Sequence, residues 1–261
     1  MSEEERERFH ADGYVHLRGI LSESELSEIE TVYTRFLKGE IEVHAKDLCD
    51  MTGEYGRPLS EFQLINVMLP RRYHPAWRGN LYERRAASIA EQLIGPDLEL
   101  DYDQLIAKPP RQAEAVFHWH QDMAYWIDTP DPRTASFWLA LDDSTTENGC
   151  MRFVPGSHTE PDLRPHRPLT GDRSESHTLF TELNPKDQVR PAEIARGDCT
   201  VHHERVLHGS GGNTSDRWRR AYIIAYRSAE TVAEERRRGF THSHNDEPDI
   251  LDSVESMKPG D

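Results

Sequence analysis

From Leu98 to Arg227 the sequence runs in short segments rich in β-branched and aromatic residues, cut at intervals by Pro-Pro, Asn-Gly, Pro-Gly and Gly-Asp. Punctuation of that kind interrupts long helices and favours successive strands joined by turns. Candidate strands are 98–107, 115–122, 135–142, 150–154, 177–183, 199–207 and 219–227. So many short strands in one run point to a closed or sandwiched β architecture, because a strand with one apolar face needs another sheet to cover it.

The residues before Leu98 carry a different period. Ser22 and Glu25 have capping-box spacing, and Leu26, Ile29, Tyr33 and Phe36 follow at helical intervals. A second helix is predicted from Trp77 to Leu93, where Leu81, Ala86, Ile89 and Leu93 share a stripe that Gly95-Pro96 ends. With 261 residues, one core suffices. The expected organisation is a single domain, mainly β with flanking α-helices. It comprises a helical part over about 1–97, a barrel over about 98–227, and a charged tail, 228–261, with no β pattern and no assigned chemistry. His242 and His244 in that tail are expected to be solvent-exposed. Residues 157–191 hold five prolines and many charges, which suggests a mobile loop covering the barrel.

The 47 acidic against 31 basic side chains give a formal charge of −16, which repels phosphate backbones and anionic membranes. A small-molecule partner is therefore expected, without nucleic acid or membrane, for a monomer or homodimer. Cys49, Cys150 and Cys199 are odd in number and far apart, so neither a disulfide framework nor a Cys-x-x-Cys site is indicated. With no apolar leader, a cytoplasmic location fits.

In an extended segment, side chains at i and i+2 point the same way, about 7 Å apart along the backbone. His120 and Asp122 can thus converge on one ion while Gln121 faces away. His208 is expected to close an apolar strand just before the turn Gly209-Ser-Gly-Gly-Asn213, where a metal or co-substrate can approach the backbone closely. Two imidazoles and one carboxylate form the facial triad of non-haem Fe(II) oxygenases, which leaves coordination positions open for substrates. His118 shares the face of His120, and His202 and His203 compete with His208. Arg217, Arg219 and Arg220 compete to bind an anion, and strand parity alone does not choose among them.

Taken together, His120-Gln-Asp122, Asn148-Gly-Cys-Met-Arg-Phe-Val-Pro-Gly-Ser-His158, His208-Gly-Ser-Gly and an arginine eleven residues after His208 resemble the phytanoyl-CoA dioxygenase family of Fe(II)/2-oxoglutarate oxygenases. Phe9-His-Ala-Asp-Gly-Tyr-Val-His-Leu-Arg-Gly-Ile-Leu21 is similar to that family's opening segment, and the likeness covers roughly residues 7–227. It implies a double-stranded β-helix, the jelly-roll, cupin-like barrel. His120, Asp122 and His208 match its iron ligands. Arg219 matches the arginine holding the distal carboxylate of 2-oxoglutarate, and Ser210 a hydroxyl supporting it. Trp138 and Gln104 match positions lining the co-substrate, although some relatives have methionine in place of Gln104. Lys108, beside Gln104, and Gln121, inside the first motif, complete the co-substrate candidates.

The resemblance implies Fe(II), 2-oxoglutarate and O2, and a hydroxylation of an aliphatic C–H that releases succinate and CO2. Asp122 argues against halogenation, which needs the carboxylate's position for halide. Epimerisation, cyclisation or desaturation use the same centre. A cupin-like zinc or manganese enzyme and a non-catalytic binding module are the readings from other classes. Arg164 and Arg173 could meet an anionic substrate from the 157–191 loop; were that loop fixed structure, the substrate-binding residues would be sought in 40–75.

Overall fold

The computed structural model describes residues 1–246. In chain order the first part holds α1 (Glu3–Asp12), β1 (Tyr14–Leu17), α2 (Glu23–Leu37), β2 (Leu48–Asp50), β3 (Ile65–Met68), α3 (Pro70–Tyr73) and α4 (Leu81–Ile94). The barrel follows with β4 (Leu98–Lys108), β5 (Phe117–His120), β6 (Thr134–Ala140), β7 (Met151–Phe153), β8 (Arg167–Pro168), β9 (Leu179–Phe180), β10 (Arg190–Ala192), β11 (Cys199–His202), β12 (His208–Ser210) and β13 (Arg219–Ser228). A last helix, α5, spans Ala229–Arg237.

Seven strands form one antiparallel sheet in the order β1-β11-β6-β13-β4-β3-β2, and four form a second, β10-β7-β12-β5. Ile106, Trp138, Ala221 and Ile223 of the larger sheet share one buried cluster with Met151, Phe153 and Ala192 of the smaller. The two sheets therefore face each other across an apolar interior, the jelly-roll arrangement. On the outer face of the large sheet, α2 buries Leu26, Ile29, Tyr33 and Phe36 as the period predicts. Tyr33 Oη donates to the Ile106 carbonyl at 2.8 Å, and Trp77 stacks on Tyr222 with centroids 4.6 Å apart. In α4, Tyr82, Ala86, Ala90 and Leu93 are buried, and Leu81 and Ile89 of the expected stripe pack half-buried against the same core; Asn80 caps the helix and starts it after Trp77.

Several expectations need correction. The first part is not only helical, since β1 extends one edge of the large sheet and β2 and β3 extend the other. The expected strand 115–122 is shorter, ending at His120, and 199–207 ends at His202. The 177–183 segment contributes only β9, paired with β8 in a two-stranded ribbon outside both sheets. The tail, assigned no chemistry, instead packs onto the barrel as far as it is described, with His242 and His244 buried rather than exposed. Its remainder, 247–261, lies outside the described residues.

A cluster of buried charges attaches the tail. Arg227 on β13 meets Glu235 of α5, Asp101 at 3.7 Å and Glu204 at 3.4 Å, while His242 Nε2 lies 2.7 Å from Asp101. Charges this deep persist only when mutually paired. The pairing folds the tail over one end of the barrel.

Candidate active site

β5 and β12 are neighbours in the small sheet, and their register sets His120 opposite His208. Gln121 stays extended, with φ −118° and ψ 129°, so Asp122 returns to the His120 side although it already begins a tight turn over Asp122–Tyr125. The Nε2 atoms of His120 and His208 each lie 3.5 Å from Asp122 Oδ1. The three ligand atoms fall within 4.8 Å of one another. His208 opens its strand rather than closing one.

Both imidazoles are oriented from behind. His120 Nδ1 donates to the His118 carbonyl at 2.7 Å, and His208 Nδ1 to the Val206 carbonyl at 2.9 Å. A neutral ring that donates through Nδ1 keeps its Nε2 lone pair for a metal. Burial, and then His120, holds the His208 pKa well below the ordinary value, so the ring stays neutral. Burial alone would raise the Asp122 pKa, but the surrounding His208, His120 and His202 hold it well below the usual carboxylate range. The result is an ionised carboxylate beside a neutral His208. His202, weighed in the sequence as a ligand, instead stands on β11 behind the triad, with Nε2 3.2 Å from Asp122 Oδ2. His118 contributes its carbonyl to this arrangement.

Arg219 begins β13, opposite Lys108 on β4. It is buried, its guanidinium carbon lies 5.2 Å over the Trp138 ring, and its Nε has no partner among the described residues. No carboxylate pairs with it there, and burial lowers its pKa to about 10. Two cations directly opposite each other are costly. Lys108 accordingly has its pKa well below the ordinary lysine value, through burial and then Arg219, while its Nζ donates to Ser210 Oγ at 2.6 Å and to the Gly211 carbonyl. The competing arginines lie elsewhere. Arg217 is exposed near Glu147, and Arg220 binds Asp142 and Glu30.

The triad, Arg219, Ser210, Trp138 and Gln104 all line one cavity of about 180 Å3, while Lys108 and Gln121 do not. Gln121 is buried with its amide donating to the Arg205 carbonyl and accepting from Arg164 N, which joins the 157–191 segment to the turn between β11 and β12. Gln104 donates to Asn66 Oδ1 of β3. The turn holding Gly149, at φ 80°, packs against the turn after Ser210 so closely that an added Cβ would overlap the Gly211 carbonyl. Gly209 and Gly212 likewise sit against backbone, where an added Cβ would meet the Phe117 and Ala113 carbonyls.

Other lining residues had no motif to mark them. Tyr125 stands edge-on to His120 with ring centroids 5.8 Å apart, and Met51, Tyr55, His177, Phe240 and His244 close the outer end. They come from four segments far apart in sequence, so no local pattern joins them.

The fold and its donor set define a class, the 2-oxoglutarate-dependent dioxygenases. Within it the chain belongs to the phytanoyl-CoA dioxygenase (PhyH) family, whose profile matches residues 9–221. It is similar to the 2-aminoethylphosphonate dioxygenase of uncultured bacterium HF130_AEPn_1, 28% identical over 225 residues that cover 86% of this chain and 81% of that protein. EvdO2 from Micromonospora carbonacea var. aurantiaca, solved in complex with 2-oxoglutarate, superposes with a TM-score of 0.71 at 29% identity, covering 88% of this chain and 91% of its own. The epimerase SnoN, solved with Fe3+, alpha-ketoglutarate and nogalamycin RO, superposes at 0.64 with 26% identity, covering 87% of this chain and 83% of its own. Among the described residues no helix is long and apolar enough to cross a membrane.

Proposed function

We propose that the chain is an Fe(II)- and 2-oxoglutarate-dependent dioxygenase that hydroxylates an aliphatic C–H bond of a small-molecule metabolite. The observation that carries this reading is the buried, carboxylate-free Arg219 in the same cavity as His120, Asp122 and His208. A buried guanidinium without an anion is unfavourable, and a dicarboxylate arriving in the cavity relieves it. The donor set suits iron, with two imidazoles and one carboxylate on one side of the cavity.

In this reading His120, Asp122 and His208 hold Fe(II), and Arg219 takes the distal carboxylate of 2-oxoglutarate with Ser210 beside it. Trp138 backs the guanidinium and Gln104 lines the cavity nearby. Bound iron supplies the activation of O2 that couples oxidation of 2-oxoglutarate to oxidation of the substrate. The balance is one O2, one 2-oxoglutarate and one C–H bond consumed, with one C–OH, one succinate and one CO2 formed. Met51, Met68, Phe117, Trp126 and Ile223 give the cavity its dry wall, so water does not compete for the oxidised carbon.

A zinc or manganese enzyme using the same donors would leave Arg219 without its anion. Stereochemical inversion is the second reading, supported by the similarity to a solved epimerase. The two differ in whether the product gains an oxygen atom. Succinate release with Fe(II) and 2-oxoglutarate, measured across a substrate panel with product masses, tests both. Hydroxylation gives a product heavier by one oxygen, and an unchanged mass with inverted configuration would replace it with epimerisation.

A further inference from the structure

We propose that the outer end of the cavity is an anion subsite, in which Lys46 and Arg173 receive the carboxylate or phosphonate of a small organic substrate. The inference rests on the oxygenase reading above and deepens it. Lys46, just ahead of β2, places Nζ 4.9 Å over the Tyr55 ring, and Arg173, between β8 and β9, places its guanidinium carbon 6.0 Å from the Tyr125 ring. Both line the cavity. Among the described residues neither side chain has an ion pair, although the chain carries a formal charge of −16. The other arginines of the loop are engaged: Arg164 holds Glu160 and Asp187, and Arg167 holds Glu182. Asp47 beside Lys46 already accepts from Tyr73, Ser243 and the His244 amide.

The charges around the cavity point the same way. With iron and 2-oxoglutarate bound, the inner end is balanced, since a divalent cation and Arg219 meet Asp122 and a dianion. Among the described residues lining the outer end, Lys46 and Arg173 are the cations and Asp246 the one carboxylate, with Asp47 behind them engaged by Tyr73, Ser243 and the His244 amide. His177 and His244 stack there with centroids 3.5 Å apart. Burial holds both well down the scale, His244 to about 3, so they are neutral hydrogen-bonding groups beside the cations. Apolar and aromatic walls between the two ends suit a short carbon skeleton. Only the Tyr125 ring separates Arg173 from His120, in steps of 6.0 and 5.8 Å, so an anchored anion leaves nearby carbons facing the triad.

The test is calorimetric binding to the full chain under anaerobic conditions, with Fe(II) and 2-oxoglutarate loaded first. The probes are hexylphosphonate, heptanoate, heptanol and heptylamine. Both anions should bind at least tenfold more tightly than the alcohol and amine, with a larger margin for the phosphonate if the site is built for a dianion and for the carboxylate if for a monoanion. Arg173→Gln and Lys46→Gln should each weaken the anions at least tenfold without changing the alcohol, whereas Arg167→Gln should change nothing. Equal binding of all four probes, binding of none, or undiminished anion affinity in Arg173→Gln overturns the subsite while the oxygenase reading stands. Failure of iron and 2-oxoglutarate to load would overturn that reading, and this inference with it.

Discussion

Arg219 and Arg217 stand two positions apart, yet one is buried in the cavity and the other faces solvent near Glu147. Truncating a charge that makes a buried, bidentate contact costs about 2–5 kcal/mol, much of it from the partner left unpaired. Arg219→Ala should therefore raise the apparent KM for 2-oxoglutarate steeply while iron stays bound, and Arg217→Ala should change KM little. Steady-state kinetics with varied 2-oxoglutarate check the ranking, and the reverse order would show that another arginine takes the carboxylate. Such residues were legible because motifs fix them: His120 and Asp122 two apart, His208 before its glycines, Arg219 eleven beyond. Lys46, His177 and His244 were not, because each matters only through contacts that the fold creates between distant segments. The role of His202 was hidden for the same reason, since its carboxylate partner lies 80 residues away in the turn after β5.

At the level of elements, the barrel strands were readable from turn residues and β-rich segments. The strands β1, β2 and β3 were not, because each is only three or four residues long and pairs with sequence far away or with a segment of equal brevity. The helix α5 was missed because its residues are mostly charged, and its burial depends on the pairing of Glu235 with Arg227. Arg227→Gln should thus lower stability by about 3–5 kcal/mol, since it leaves carboxylates buried without their cation. Urea unfolding checks this, and a change within 0.5 kcal/mol would show that the cluster contributes no net pairing. Of the 157–191 segment, Arg173, Ser174 and His177 line the cavity, and the segment is tied to the rest of the chain by bonds that include Tyr55 N to the Glu175 carbonyl at 2.8 Å, Thr178 Oγ1 to the Met51 carbonyl at 2.8 Å and Thr181 N to the Trp119 carbonyl at 2.7 Å. We propose that the part over the cavity opens locally as a lid when substrate enters. Limited proteolysis should nick the free protein within it and slow when 2-oxoglutarate and substrate are added; equal protection in both states would make it fixed structure.

The molecule as a whole responds to pH through groups that the fold buries. Burial lowers His166 and His203 to about 4 and His244 to about 3, below the value near 6.5 of an unfolded histidine. At these three histidines the unfolded chain therefore binds more protons than the folded one between pH 6.5 and 4, a contribution to stability that falls as pH falls. Burial raises Glu204 to about 7 and Asp103 to about 6, so their contributions fall as pH rises from the ordinary carboxylate values to these. His203→Asn should flatten the acid side of the stability profile by up to about 1.4 kcal/mol per pH unit, the weight of one proton. An unchanged slope would show that His203 titrates normally in the folded state. Iron is the centre on which every other part depends. Anaerobic Fe(II) titration of the whole chain, with and without 2-oxoglutarate and followed by the visible absorbance of the chelate, tests that directly for wild type and Asp122→Ala. One Fe(II) per chain, a 2-oxoglutarate-dependent band, and loss of both in Asp122→Ala is the result expected; iron bound as tightly by Asp122→Ala as by wild type would contradict the account.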